Sequence, residues 1–278
     1  MTALYIVATP IGNLEDISLR ALRTLREVNL IAAEDTRKTK RLLNAYGIKT
    51  RTTSFHEHNR QEKMSYLIDF LGSGSVALVS EAGMPGISDP GYELIVAASR
   101  QGITVIPIPG PSAVVTALAV SGLPTDRFLY LGFLPNRSAQ RRRYLESAAN
   151  EPGTLVVFEA PHRLKAALND ILRILGDRRI VLCREMTKMF EEVFRGTVKE
   201  AIEHFPEPRG EFTLVIDGQK EKPEPEMTED VLQSMDTMRL SGVRAKEAIS
   251  RVTSDTGLSR REVYQAWLRQ KNARENGE

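Results

Sequence analysis

Short apolar runs alternate along this chain with longer stretches whose apolar residues recur every three or four positions. LYIVA, LIAAE, TRTTSF, SVALV and ITVIPI read as strands, while SLRALRTLREV, RKTKRLLNAY, QEKMSYLIDFL and YELIVAASR, interleaved with them, have helical period. This alternation predicts a largely parallel sheet with helices on its faces. Ligands on such sheets bind beyond the carboxyl ends of the strands. Glycine and proline collect at those ends: ATPIGN after LYIVA, SEAGMPG after SVALV, PGPSA after ITVIPI.

A second unit begins near Pro111, where FLYLGFL, TLVVFEA, RIVLCRE, EEVFRGT and EFTLVID alternate with helical segments such as SAQRRRYLESAAN and HRLKAALNDILRIL. RIVLCRE followed by EEVFRGT predicts an antiparallel pair, and so a mixed sheet. DGQKEKPEPEMTED, Asp217 to Asp230, is charged, proline-bearing and aperiodic, the composition of a linker. Three helices are predicted after it, at about 228–240, 243–255 and 259–271. The expected organisation is an α/β domain over 1–111, a mixed-sheet α/β domain over 112–220, a linker at 221–228 and a helical tail over 229–278.

Composition narrows the function classes. The 278 residues are 41% apolar and 27% charged, as in soluble globular proteins with a sizeable core. Residues 101–125 carry no charge, but PIPGP divides them into pieces too short to cross a bilayer. The N-terminus enters a strand without a basic region or cleavage signal, which predicts a cytoplasmic protein. Cys183, the single cysteine, sits in RIVLC as a buried strand residue, so neither a disulfide nor a multi-cysteine metal site is expected. The four histidines show no H-E-x-x-H spacing, and no metal is expected.

SEAGMPGISDPG, Ser80 to Gly91, is the densest loop. It matches neither G-x-G-x-x-G nor the P-loop pattern. One reading is a tight turn with Asp89 capping a helix that opens at Pro90. The other is a ligand loop whose glycines expose main-chain N–H and C=O groups. Three such loops at three strand ends favour the ligand.

VATPIGNLEDIS, AEDTR, SEAGMPGISDPG, PGPSA, GFLP, FEAPHR, CREMTK and GEFTLVIDG, in this order over roughly residues 4–218, resemble the tetrapyrrole-methylase superfamily. Within it they are most similar to the ribosomal small-subunit methyltransferase I group. Two positions depart from the pattern SDAGTP: Glu81 stands for Asp and Met84 for Thr. The resemblance implies a two-domain class III methyltransferase fold, a homodimer, and S-adenosyl-L-methionine as cofactor. The implied substrate is the ribose 2′-hydroxyl of a cytidine in 16S ribosomal RNA, free or in the small ribosomal subunit. A porphyrinoid methylase of the same fold and a non-enzymatic nucleic-acid-binding sensor are the alternatives.

The cofactor is implied to lie between the two α/β halves, held largely by backbone. The corresponding residues here are Pro10, Glu81, Ala82, Gly83, Ser88, Ser112, Ala113, Phe133, Leu134, Ala160, Pro161, Glu211, Phe212 and Thr213, with Phe133 and Leu134 as apolar walls for adenine. A ribose hydroxyl is a weak nucleophile, so a carboxylate base is expected. Glu34 and Asp35 end the strand LIAA, and Glu159 and Glu185 end strands elsewhere; Asp35 or Thr36 as a helix N-cap is the competing reading.

Net charge is only +2, yet basic residues cluster. Arg37, Lys38, Lys40 and Arg41 follow AEDT, and Arg137, Arg141, Arg142 and Arg143 follow GFLP, with Arg163 nearby in FEAPHR. Beside cleft loops they fit a phosphate backbone, while solvated helix faces are the plain alternative. The tail, with nine basic against five acidic residues from Arg239 onward, has helix-turn-helix grammar in which Arg260 and Arg261 open the second helix. A structural helical cap with Trp267 and Tyr264 inward is its other reading.

Overall fold

The computed structural model describes residues 2–219 and 227–275, the last six of these as backbone only. Residues 1–219 form one compact unit and 220–278 a second. Residues 221–226, most of the expected linker, lie outside the described residues, and Thr228 within it caps the helix that follows.

The first half of the larger unit runs β1 (Ala3–Val7), α1 (Leu19–Glu27), β2 (Leu30–Ala33), α2 (Thr36–Ala45), β3 (Thr52–Ser54), α3 (Arg60–Leu71), β4 (Val76–Val79), α4 (Tyr92–Arg100) and β5 (Thr104–Ile108). Among the described residues these strands form one parallel sheet in the order β3-β2-β4-β1-β5. LIAA and VALV are apolar throughout because both faces of a parallel sheet are covered. Ile31, Ala33, Ala77 and Val79 pack with Leu22, Leu25 and Leu42 on one face. Leu30, Ala32, Val76 and Leu78 pack with Leu67, Leu71 and Leu94 on the other, as the period of two requires. Pro107 interrupts β5, which tolerates it as an edge strand.

The second half comprises α5 (Ala113–Ser121), β6 (Phe128–Phe133), α6 (Ser138–Ser147), β7 (Thr154–Glu159), α7 (Pro161–Leu175), β8 (Arg179–Arg184), β9 (Glu192–Thr197), α8 (Val198–His204) and β10 (Phe212–Ile216). The sheet order is β6-β7-β10-β8-β9, with β6 parallel to β7 and the remaining pairs antiparallel. The expected β8–β9 pair is therefore present and the sheet is mixed. Cys183 is buried in β8, where burial pushes its thiol up to about 11.

The expectation that Asp89 caps a helix opening at Pro90 is corrected. The helix starts at Tyr92, and Gly91 occupies the cap position at φ +150°. A Cβ at Gly91 would lie 2.8 Å from Leu78 Cδ2 and 3.3 Å from the Gly86 nitrogen, so this close approach needs glycine. Asp89 is thereby released for other work.

The second unit holds α9 (Glu229–Leu240), α10 (Ala245–Thr256) and α11 (Arg260–Glu275). Met235, Ile249, Val252, Leu258, Val263 and Trp267 make its own core, and the Arg239 guanidinium stacks 4.2 Å from the Trp267 ring. Gly257, left-handed at φ +76°, ends α10, and Ser259 and Glu262 exchange capping hydrogen bonds before α11. Trp267 is inward within this unit, whereas Tyr264 is half exposed, contrary to the expectation for a cap. No helix among the described residues is long and apolar enough to cross a membrane.

Candidate active site

The loops after β1 and β4 are tied together. Thr9 N–H donates to Gly83 O (2.9 Å) and Gly83 N–H donates to Thr9 O (3.0 Å), an isolated antiparallel bridge beyond the sheet. Gly83 of this bridge lines a cleft of about 510 Å³ between the two sheets, within the roughly 300–1,000 Å³ of small-molecule sites.

Most of the expected cofactor residues line the cleft: Glu81, Ala82, Gly83 and Ser88 after β4, Ser112 and Ala113 after β5, Phe133 after β6, Ala160 and Pro161 after β7, and Glu211, Phe212 and Thr213 at β10. Two do not. Leu134 is buried in the second half's core, because the residue after outward-facing Phe133 turns inward, so it forms no adenine wall. Pro10 lines a neighbouring recess with Gly12, Lys38 and Arg41, while Ile11 beside it lines the cleft. The apolar wall comes instead from Ile11, Met84, Ile87, Phe133, Phe158 and Met186. Phe133 and Phe158 meet edge to face at 5.5 Å. Phe133 (55%) and Ile87 (48%) are exposed large apolar side chains inside a cleft, the surface a planar ring would cover. The residues suit S-adenosylmethionine: bare backbone at Ala82 and Gly83 for hydrogen bonding, apolar walls for adenine, and carboxylates for a cationic centre.

The candidate bases separate on contact. Asp35 caps α2, accepting from the Arg37 N–H (2.7 Å) and the Lys38 N–H (3.3 Å), and these hold its carboxyl below the usual range. It is a cap rather than a proton acceptor. Asp35→Asn, which keeps the cap, should leave melting temperature and turnover unchanged, while Asp35→Ala, which removes it, should lower the melting temperature. A large activity loss in Asp35→Asn at unchanged stability would return this residue to the chemistry. Glu159 is buried at the cleft wall, accepts from the Ala160 N–H (2.9 Å) and pairs with Arg163 at 3.1 Å. Burial raises its proton affinity against these partners. Arg163 also donates to Leu134 O, so the pair staples FEAP to GFLP. Glu185 is likewise engaged, accepting from the Glu211 N–H (2.8 Å) and Lys188 (3.0 Å). Glu34 remains in the cleft and accepts from the Glu81 N–H at 3.0 Å.

The arginine expectations need two corrections. Arg141 is buried and paired with Asp170 at 2.6 Å, and Arg163 is turned inward as described, so neither is free for a phosphate. Arg37, Arg41, Arg137 and Arg143 are exposed, and Arg142 is half-buried. Lys38 is exposed but ion-paired with Glu81, which raises its proton affinity. Arg260 and Arg261 are exposed on the first turn of α11.

Beside the apolar cleft lies a second, polar groove lined by Arg37, His56, His58, Arg60, Tyr92 and Glu93, among others. The sequence reading missed His56, His58 and Arg60; the signal was their position just past β3, at the same carboxyl edge of the sheet. His56 Nδ1 is buried without a hydrogen-bond partner among the described residues. Cleft and groove share Glu34, Glu81, Ser88 and Asp89. No group of three or more His, Cys, Asp or Glu placed to hold a metal occurs among the described residues.

Comparison with known proteins agrees with this geometry. Residues 3–202 match the family model described as Tetrapyrrole (Corrin/Porphyrin) Methylases. The Ribosomal RNA small subunit methyltransferase I of Halalkalibacterium halodurans is 52% identical over 268 residues, covering 94% of this chain and 93% of that protein. The protein of the same name from Thermotoga maritima is 53% identical over 223 residues, covering 79% of this chain and 100% of its own length. Among solved structures, the uroporphyrin-III-C-methyltransferase of Thermus thermophilus shares the fold at a TM-score of 0.57 and 20% identity, over 78% of this chain and 94% of that one. The cleft between two α/β sheets, its backbone-lined loops and these relatives together place the chain in the tetrapyrrole (corrin/porphyrin) methylase family, with the proteins named ribosomal RNA small subunit methyltransferase I.

Proposed function

We propose that this methyltransferase transfers a methyl group from S-adenosylmethionine to the ribose 2′-hydroxyl of a cytidine in 16S ribosomal RNA, acting in the cytoplasm as a homodimer. One observation carries the reading beyond the family. An apolar cleft suited to the cofactor shares a wall with a polar groove in which Arg37, Arg60, His56 and His58 lie among six carboxylates, donors and acceptors of both kinds for a nucleotide's base and ribose.

When bound, the cofactor supplies a methyl group already activated on a sulfonium, so the protein's task is chiefly alignment. The loops after β4 and β5 offer backbone to it, and Phe133, Phe158 and Ile87 cover its apolar part. Arg37 lines the groove with its side chain exposed, where an RNA phosphate would sit, while Arg60 there is ion-paired with Glu93 and Glu57. Arg142 and Arg143 add basic side chains on α6, and the tail carries its own pair in Arg260 and Arg261. Exposed Val115 and Val120 on α5, with Phe128 and Leu129 on β6, supply apolar area for a second copy.

Labelled S-adenosylmethionine incubated with unmethylated small subunits should transfer label to 16S RNA, and digestion should return 2′-O-methylcytidine. Label in a base, or transfer to a porphyrinoid and not to RNA, would refute the reading. Replacing Arg142 and Arg143 by glutamine should lower the salt slope of RNA binding by up to about 1.4, at roughly 0.7 per lost single-strand phosphate contact. Cofactor affinity should not change. An unaltered slope would make them plain surface residues.

A further inference from the structure

We propose that Asp89 is the general base that takes the proton from the acceptor hydroxyl, an inference that rests on the ribose-methylating reading above. Its position carries the argument. Asp89 belongs to the wall common to the cofactor cleft and the polar groove, where a hydroxyl entering from the groove meets a methyl group presented from the cleft. Two other carboxylates share that wall, and both are engaged: Glu34 accepts from the Glu81 N–H at 3.0 Å, and Glu81 is ion-paired with Lys38. No cation is paired with Asp89 among the described residues, and the Ser80 hydroxyl near it donates to Ala82 O (3.2 Å) and Gly83 O (3.3 Å).

The backbone around it is held for the purpose. Ser88 sits in the left-handed region at φ +66°, which few non-glycine residues adopt. Its hydroxyl is 2.6 Å from the Tyr130 hydroxyl on β6, a contact that ties the loop to the opposite sheet. Strain of this kind, locked by a cross-cleft contact, is characteristic of functional sites.

The electrostatics agree with the geometry. Burial, then the charges of Glu34 and Glu81, push the Asp89 carboxyl up to about 7, partly offset by the Ser80 hydroxyl. Tyr130 faces Asp89 from β6, and Asp35, Arg37, His56, Glu57, His58, Arg60, Tyr92 and Glu93 line the adjoining groove. A base with proton affinity near the working pH is the effective kind. In the step, the ribose O–H bond breaks and its proton passes to the Asp89 carboxylate. The oxygen's electron pair forms the new bond to the methyl carbon, and the pair of the broken methyl–sulfur bond stays on sulfur, cancelling its positive charge.

The test compares wild type, Asp89→Asn and Glu34→Gln from pH 5.5 to 9, using labelled S-adenosylmethionine and unmethylated small subunits in single turnover. Wild-type rate should rise about tenfold per unit below pH 7 and level off above it. Asp89→Asn should be slower by 10²–10⁴-fold, the usual span for a lost base, and lack that limb, while Glu34→Gln keeps the limb but moves it to lower pH, because the Glu34 charge raises the Asp89 carboxyl. Calorimetry should show the cofactor bound by Asp89→Asn within threefold of wild type. A further readout needs no turnover. With a folded value above the unfolded one, native Asp89 binds more protons than the unfolded chain between about pH 4 and 7, so its ionisation costs stability as pH rises through that window. The melting temperature of Asp89→Asn relative to wild type should therefore climb from pH 5.5 to 8, whereas an aspartate with an ordinary or lowered value, ionised throughout that range, would give a flat difference. Rates within threefold of wild type, a retained limb, or loss of the limb in Glu34→Gln instead would overturn the assignment alone. A wild type that methylates no RNA would overturn the underlying reading and the assignment together.

Discussion

Gly83→Val should abolish S-adenosylmethionine binding, with calorimetric affinity falling at least a hundredfold while the protein stays folded. Gly83 lies at φ +76°, where a side chain brings strain of about 1–2 kcal/mol. A Cβ there would sit 3.6 Å from Ile11 Cγ2 and 3.7 Å from Pro111 O, an ordinary contact with the first atom and no room for branches beyond it. Valine's two methyl groups must then enter the cleft, or push Ile11 and the loop after β5 apart. The same residue makes both hydrogen bonds of the bridge to Thr9, so the displacement reaches the β1 loop as well. Gly83→Ala separates the causes: it carries the strain without the branches, so its melting temperature should fall while cofactor affinity stays far closer to wild type than in Gly83→Val. Equal affinity in folded Gly83→Val would remove the cofactor from this loop.

Arg141→Ala should destabilise the larger unit by about 3–5 kcal/mol, the loss expected when one partner of a buried ion pair is removed. Arg141 is 5% exposed. Its Nη2 is 2.6 Å and its Nε 2.8 Å from Asp170 Oδ2, and its Nη1 donates to Asn136 O at 3.2 Å. Removing the guanidinium strands the Asp170 carboxylate, leaving it the Ser138 hydroxyl at 3.2 Å, and frees the turn that carries GFLP into α6. Replacing both partners together by apolar residues of similar volume should recover most of the stability, since the desolvation cost disappears with the charges. Denaturant unfolding of the single and double variants measures this directly. If Arg141→Ala keeps full stability and instead lowers the salt slope of RNA binding, the burial argument fails.

Arg141 also shows how far the chain could be read without its structure. In the run RRR, residues 141, 145 and 148 share one helical face, and Leu145 and Ala148 are buried with Arg141. Helical period therefore marks Arg141 as inward. Clustering of charge marks it as a phosphate contact, and nothing in α6 by itself decides between them. Asp170, 29 residues on in α7, decides it by supplying the opposite charge in the interior. Leu134 repeats the lesson, because GFLP locates the loop but not which of its side chains faces the cleft.

The alternation of LYIVA, LIAA and VALV with amphipathic helices specified the parallel sheet, because strand and helix periods are properties of a few neighbouring residues. Glycine and proline at the strand ends placed the cleft, because backbone freedom and fixed φ are local too. Whether Asp35 caps or catalyses, whether Glu159 is free or stapled, and where Asp89 points depended on partners far along the chain. The proton affinity of Asp89 comes from burial and from Glu34 and Glu81 on neighbouring strand ends. Burial and distances between charges exist only after the chain has folded, so those properties belonged to the tertiary structure alone.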